Sequence, residues 1–179
     1  MSNFRTMAVS ALLIGATAAS AQTKPPAPLA QPLASAPLFT QDGRDAGYAV
    51  IVVRRDKATL RIAATSISEG EHGLHFHTTG SCKGPKFAGA GGHLNPMNAQ
   101  HGAKNPAGSH MGDLPNVTAD ASGLLFADIP LNGSAKALAA QMFDKDGTAI
   151  VLHAAPDDYM TDPSGNSGDR IACGVFKKN

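Results

Sequence analysis

The sequence predicts an all-β domain, a sandwich or barrel of about eight short strands. Three observations carry this reading. Runs of β-branched and apolar residues recur along the chain, separated by turn pairs such as Asp42-Gly43 and Ser122-Gly123. Glycine is abundant, at 19 residues, and tryptophan is absent, a composition that suits a loop-rich β protein. Two stretches, 78–115 and 154–169, are rich in Gly, Pro, Asn, Asp and Ser and show no period. Long loops of this kind on a β scaffold usually carry function.

Residues 1–21 read as a cleaved signal peptide. Arg5 is followed by an apolar run from Met7 to about Ala19, and Ala19-Ser20-Ala21 is a small-x-small cleavage site. The run is shorter and richer in Ala and Ser than the roughly 20 apolar residues of a spanning helix, so no membrane anchor is expected. No cysteine follows it to take a lipid. Residues 22–35 are Pro/Ala-rich and aperiodic, and are expected to be a linker. The domain proper is then 36–179. Loss of residues 1–21 removes one charge, Arg5, and leaves 14 basic against 14 acidic residues. No basic surface for nucleic acid follows from that balance.

Strands are expected at 36–41, at 47–55 and at 58–67, where Leu60, Ile62 and Ala64 share a face. A further strand carries Leu74-His75-Phe76-His77. After the long loop, 116–121 and 124–130 form a hairpin. Residues 135–143 have helical propensity but are short, and a loop with one helical turn is expected there. The apolar run 148–153 reads as a buried strand, and 170–176 as the last strand. The chain has only two cysteines, Cys82 and Cys173. In an exported chain an even count argues for a disulfide, here tying the first long loop to the last strand.

Chemistry concentrates between His72 and Asp113. Six of the chain's 7 histidines lie there, and His153 is the seventh. Neutral imidazole is the commonest protein metal ligand. His75 and His77 alternate on a strand, so both rings face the same side. His93, His101, His110 and Asp113 follow in a loop that can wrap an ion. Three His plus Asp suits a closed zinc site, whereas an all-imidazole set suits copper. Two adjacent metal sites account for the ligand count better than one, provided His153 joins. His72 precedes the His-x-His pair and is expected to be a buried support, not a ligand.

The motifs GLHFH (73–77), GGHLNP (91–96), QHG (100–102), SHMGDLPN (109–116), VLH (151–153) and GDRIACGV (168–175) resemble those of copper-zinc superoxide dismutase, most closely its exported bacterial branch. The resemblance spans about 36–177. It implies an eight-stranded Greek-key β-barrel of immunoglobulin-like architecture. It implies a copper site of His75, His77, His93 and His153, and a zinc site of His93, His101, His110 and Asp113, with His93 bridging both metals. Asp157 would accept hydrogen bonds from His75 and His101, and Arg170 would dock the anionic substrate. The implied activity is dismutation of superoxide to dioxygen and hydrogen peroxide by alternate reduction and reoxidation of copper. His93 would deliver a proton and zinc would be structural. Lys86 becomes a candidate for steering the anion. The implied setting is the periplasm, with antioxidant defence as the purpose. The branch includes monomers and dimers, so a homodimer is among the expected assemblies. A metal-storage module would not need Arg170 beside the metal, and a zinc hydrolase would want three ligands and an open water rather than seven ligands.

Overall fold

The computed structural model describes residues 30–179, so the expected signal peptide and linker residues 22–29 lie outside the described residues. The strands are β1 (Gln31–Thr40), β2 (Asp45–Arg54), β3 (Lys57–Ala64), β4 (Gly70–His72), β5 (Leu74–His77), β6 (Val117–Ala119), β7 (Leu125–Pro130), β8 (Ala149–His153), β9 (Arg170–Val175) and β10 (Lys177–Lys178). One helix, α1, covers Ala135–Met142. The eight expected strands are present, and β4 and β10 are additional pieces of three and two residues.

All pairings between these strands are antiparallel, in the order β4-β6-β7-β3-β2-β1-β9-β8-β5, with β10 on β1. The two ends of this path, β4 and β5, are consecutive in the chain and separated only by Gly73. The sheet therefore curls into a nearly closed barrel, which leaves few edges exposed. Inside it pack Ala36 and Leu38 of β1, Ile51 of β2, Leu60 and Ile62 of β3, Leu125 of β7, and Ile150 and Leu152 of β8, all buried. The period-2 pattern of these strands is the direct cause of this one-sided core.

Two expectations need correction. β1 begins at Gln31, so residues 31–35 belong to the sheet and not to the linker. Prolines 32 and 37 disguise the strand, yet Ala34, Ala36 and Leu38 alternate inward, and the register slips between Pro32 and Ala34 to accommodate the ring. Residues 135–142 form a complete two-turn helix instead of a single turn. Ser134 caps it, its hydroxyl accepting from the Ala137 amide at 3.1 Å, and Ala135, Leu138 and Met142 bury one face.

β5 positions the site. Leu74 and Phe76 point into the barrel, so His75 and His77 point out, yet all four are buried. The first long loop covers the outward face. Phe87 and Ala90 from its 3-10 segment (Pro85–Ala90) pack on Ala149, Val151 and Cys173. The Cys82–Cys173 disulfide pins the same loop to β9. Farther on, the loop runs back beside β5. Leu94 donates to the Phe76 carbonyl at 2.8 Å, and Phe76 donates to the Gly112 carbonyl at 2.9 Å. Gly112 is obligatory, because a Cβ there would overlap the Phe76 carbonyl oxygen. These bonds bring His93 and Asp113 opposite His77 and His75.

Candidate metal centre

Six buried histidines converge outside β5. His75, His77, His93 and His153 offer ring nitrogens that lie within 4.8 Å of one another, and ring nitrogens of His93, His101 and His110 lie equally close to one another and to a carboxylate oxygen of Asp113. His93 belongs to both groups. Its ring stacks on that of His75, with centroids 3.9 Å apart.

The outer nitrogen of each ring is committed to an oxygen. His75 Nε2 donates to Asp157 Oδ2 at 2.7 Å, and His77 Nδ1 donates to the Gly91 carbonyl at 3.0 Å. His153 Nδ1 donates to the Gly168 carbonyl at 3.3 Å. Each bond fixes the tautomer, so the other nitrogen carries a lone pair. Those inner atoms are His75 Nδ1, His77 Nε2 and His153 Nε2. Together with His93 Nε2 they are buried and have no hydrogen-bond partner. Four unpartnered lone pairs aimed at one another are costly in a closed protein interior and suit a cation. An all-imidazole set of this kind fits copper.

The second group is organised by one carboxylate. Asp113 Oδ1 lies 2.9 Å from His93 Nδ1, 3.0 Å from His101 Nδ1 and 3.2 Å from His110 Nδ1. Its Oδ2 accepts from the amides of Gly102 and His110. Three imidazoles and a carboxylate fit tetrahedral zinc. Asp157 joins the two groups from behind. Its Oδ2 takes His75 and its Oδ1 takes His101 Nε2 at 3.0 Å.

Burial holds the rings neutral. It lowers His77 to about 2, His153 to about 3 and His93 to about 4, outweighing the oxygens that favour their charged forms. Burial alone would raise Asp113, but hydrogen bonds from His93 and the Gly102 amide hold it well below the carboxylate range. Asp157 behaves likewise, burial being overcome by His75 and His101. Both carboxylates are therefore ionised, and His77 and His153 are neutral rings whose inner nitrogens are free to bind a metal.

Arg170 opens β9, opposite His153. Its Nη1 donates to the Phe87 carbonyl at 2.9 Å and its Nη2 to the Gly91 carbonyl at 2.7 Å. The guanidinium is partly buried, which lowers its pKa. It shares with His93, His110 and His153 the lining of a cavity of about 390 Å³ that opens to solvent. Lys86 lies outside that cavity and forms an ion pair with Asp169.

The copper/zinc superoxide dismutase family model matches residues 46–176 of this chain. The chain belongs to the copper/zinc superoxide dismutase family. It is 37% identical to the "Superoxide dismutase [Cu-Zn] 1" of Aquifex aeolicus, over 79% of this chain and 86% of that protein. It is 38% identical to the copper-zinc superoxide dismutase of Caulobacter vibrioides, over 80% and 85%. Among solved structures it superposes on a superoxide dismutase-like protein of Bacillus subtilis with a TM-score of 0.73 and 37% identity, covering 79% of this chain and 96% of that one. The copper/zinc superoxide dismutase of Brucella abortus superposes at 0.64 with 29% identity, over 80% and 98%. The chain is thus a copper- and zinc-dependent oxidoreductase that dismutates superoxide.

Sequence reading missed Asn116, which brackets Asp157. The Asn116 carboxamide accepts from the Asp157 amide at 2.9 Å and donates to its carbonyl at 3.0 Å. Its own amide donates to the Tyr159 hydroxyl at 2.7 Å. Asn116 closes the SHMGDLPN motif, but nothing local announces a partner 41 residues away. His72 is buried, with Nδ1 2.7 Å from the His153 carbonyl oxygen and Nε2 2.8 Å from that of Ser68. It faces neither metal group.

Proposed function

We propose that the dismutase uses His75 Nδ1, His77 Nε2, His93 Nε2 and His153 Nε2 to hold copper, and His93 Nδ1, His101 Nδ1, His110 Nδ1 and Asp113 to hold zinc. The observation that carries this reading is the set of four buried, unpartnered ring nitrogens. His93 lends one nitrogen to each group, which makes it the bridge. Copper held there would supply the one-electron redox chemistry by which one superoxide is oxidised to dioxygen and a second, with two protons, is reduced to hydrogen peroxide. Arg170 does the docking. Its two carbonyl partners leave its charge uncompensated, so it attracts a small anion into the cavity it shares with His93 and His153. His93 Nδ1 faces Asp113, so Nε2 is the ring atom turned toward the copper group, and a proton exchanged there would require that atom to be released from copper. Asp157 fixes His75 and His101 at once, so neither ring can turn.

The proposed site of action is outside the cytoplasm, in a periplasm, with antioxidant defence as the purpose. The signal-peptide pattern of residues 1–21 and the Cys82–Cys173 disulfide support it, since such bonds persist in oxidising compartments. A metal-storage role would leave Arg170 without a task. The deciding experiment compares the copper- and zinc-loaded protein with Arg170→Ala, reading superoxide decay and bound metal. Full metal content with at least tenfold slower decay in the variant is expected. Equal decay rates would remove Arg170 from the site, and a loaded parent without activity would leave the storage role standing.

A further inference from the structure

We propose that Asp169 sets the strength of anion capture in this enzyme. It neutralises Lys86 at the rim of the copper cavity, so that attraction falls to Arg170 alone. The proposal rests on the dismutase reading. Lys86 Nζ donates to Asp169 Oδ1 at 2.9 Å, joining the first long loop to the end of the second. Both side chains are about two-thirds exposed, at 65% and 64%. The Lys86 backbone is not free to drift. Phe87, the next residue, is buried against β8 and β9, and its carbonyl takes Arg170.

The surrounding groove repeats the pattern. Lys86, Asp169 and Arg170 line it together with Asp42 and Arg44. Arg44 Nε pairs with Asp42 Oδ2 at 2.7 Å. Of the three cations along this groove, two face carboxylates and only Arg170 faces neutral carbonyls. Arg170 also lines the ligand cavity, so the groove leads an anion from the outer pairs to the one uncompensated charge. Opposite charges 2.9 Å apart cancel for an ion approaching from beyond that distance. Asp158, also in the second loop, is held by Thr161 and Asn166, and Asp162 accepts from the His101 amide.

The two loops are therefore latched by a pair whose members would act oppositely if separated. Asp169→Asn releases the Lys86 charge in the groove that Arg170 joins to the ligand cavity, and Lys86→Gln releases the Asp169 charge in the same place. A unit charge at about 10 Å in water changes the local concentration of a monovalent anion by about twofold at low ionic strength, and by less in physiological salt.

The test uses the copper- and zinc-loaded protein, its two single variants and the double variant. Azide affinity is titrated by its charge-transfer absorption at low and at high ionic strength. Imidazole, uncharged above its pKa, serves as the neutral control. Superoxide kcat/KM is measured beside them. Asp169→Asn is expected to tighten azide and raise kcat/KM about twofold at low salt, and Lys86→Gln to weaken both. The double variant should return to parental values, and imidazole affinity should not move. Single variants that shift together in one direction, or that shift imidazole equally, would show a structural latch and overturn the proposal. So would singles that match the parent. A parent that binds azide but consumes no superoxide would sink the dismutase reading while leaving the azide comparison intact.

Discussion

Removing the Cys82–Cys173 bond is the perturbation whose magnitude follows most directly from the structure. The bond spans 91 residues. The chain-entropy expression for a loop of that size gives roughly 4.6 kcal/mol at 25 °C. Unfolding entropy over the 150 residues from Ala30 to Asn179 is roughly 0.3 kcal/mol per kelvin near the midpoint. The Cys82→Ser/Cys173→Ser protein should therefore melt about 15 °C below the oxidised parent. The assay is calorimetry on both proteins with metals removed by a chelator, so that metal binding adds nothing to either melt. The same bond tethers the loop whose Phe87 and Gly91 carbonyls hold Arg170, which sits three residues before Cys173. Remetallated, the double variant should lose activity as well as stability. A melting point within about 4 °C of the parent would refute the entropy argument, because the loop would then be closed by packing of Phe87 and Ala90 alone.

Other consequences are as direct. Asp157→Asn exchanges a two-sided acceptor for a group with one acceptor and one donor, so either His75 or His101 loses its partner. Copper or zinc affinity should fall roughly 10- to 100-fold in a chelator competition, and unchanged affinities would deny Asp157 its positioning role. Gly165→Ala should produce a similar loss, since a Cβ there would overlap Asp157 Oδ1 and lie 2.6 Å from His101 Nε2. Acid should destabilise the metal-free protein early. Folding holds His77, His93 and His153 at about 2, 4 and 3, against about 6.5 in the unfolded chain, so only the unfolded chain takes up these protons below pH 6.5. Stability is full above that pH and falls toward pH 4 by up to about 1.4 kcal/mol per unit for each ring. Melts of chelated protein between pH 7.5 and 5 check this, and a flat profile would contradict neutral burial.

The barrel was legible where local pattern and tertiary role agree. Val50 to Val53 and Ile150 to Leu152 are strands by composition, and Asp42-Gly43 and Ser122-Gly123 turn where turn chemistry requires. Residues 31–35 were not legible, because Pro32 argues against a strand and small Ala34 gives little apolar signal. α1 was underestimated because eight residues are too few to be stable alone. Its Ser134 cap and its packed face supply what propensity does not. The ligand types stood out, since alternation on β5 and clustered histidines are sequence properties. The bonds of Asp157 to His75 and His101 were expected from the family resemblance, whereas the commitment of His77 to Gly91 and of His153 to Gly168 was beyond local reading. So was the pairing of Lys86 with Asp169, which are 83 residues apart.

The arrangement explains why such a site is built on a nearly closed barrel. Each histidine is held by an oxygen on its far side, so the near nitrogens cannot turn away to find partners of their own. Leaving a buried polar atom unpaired costs about 1–3 kcal/mol, and four such atoms meet here. A looser scaffold would relieve that cost by rotating rings or admitting local unfolding. This one resists, because β5 is locked between β8 and the returning loop, and the disulfide closes the loop onto β9. Metal binding should therefore raise stability by more than a flexible site of the same donors would allow, since rigidity blocks the alternatives that would compete with the ion.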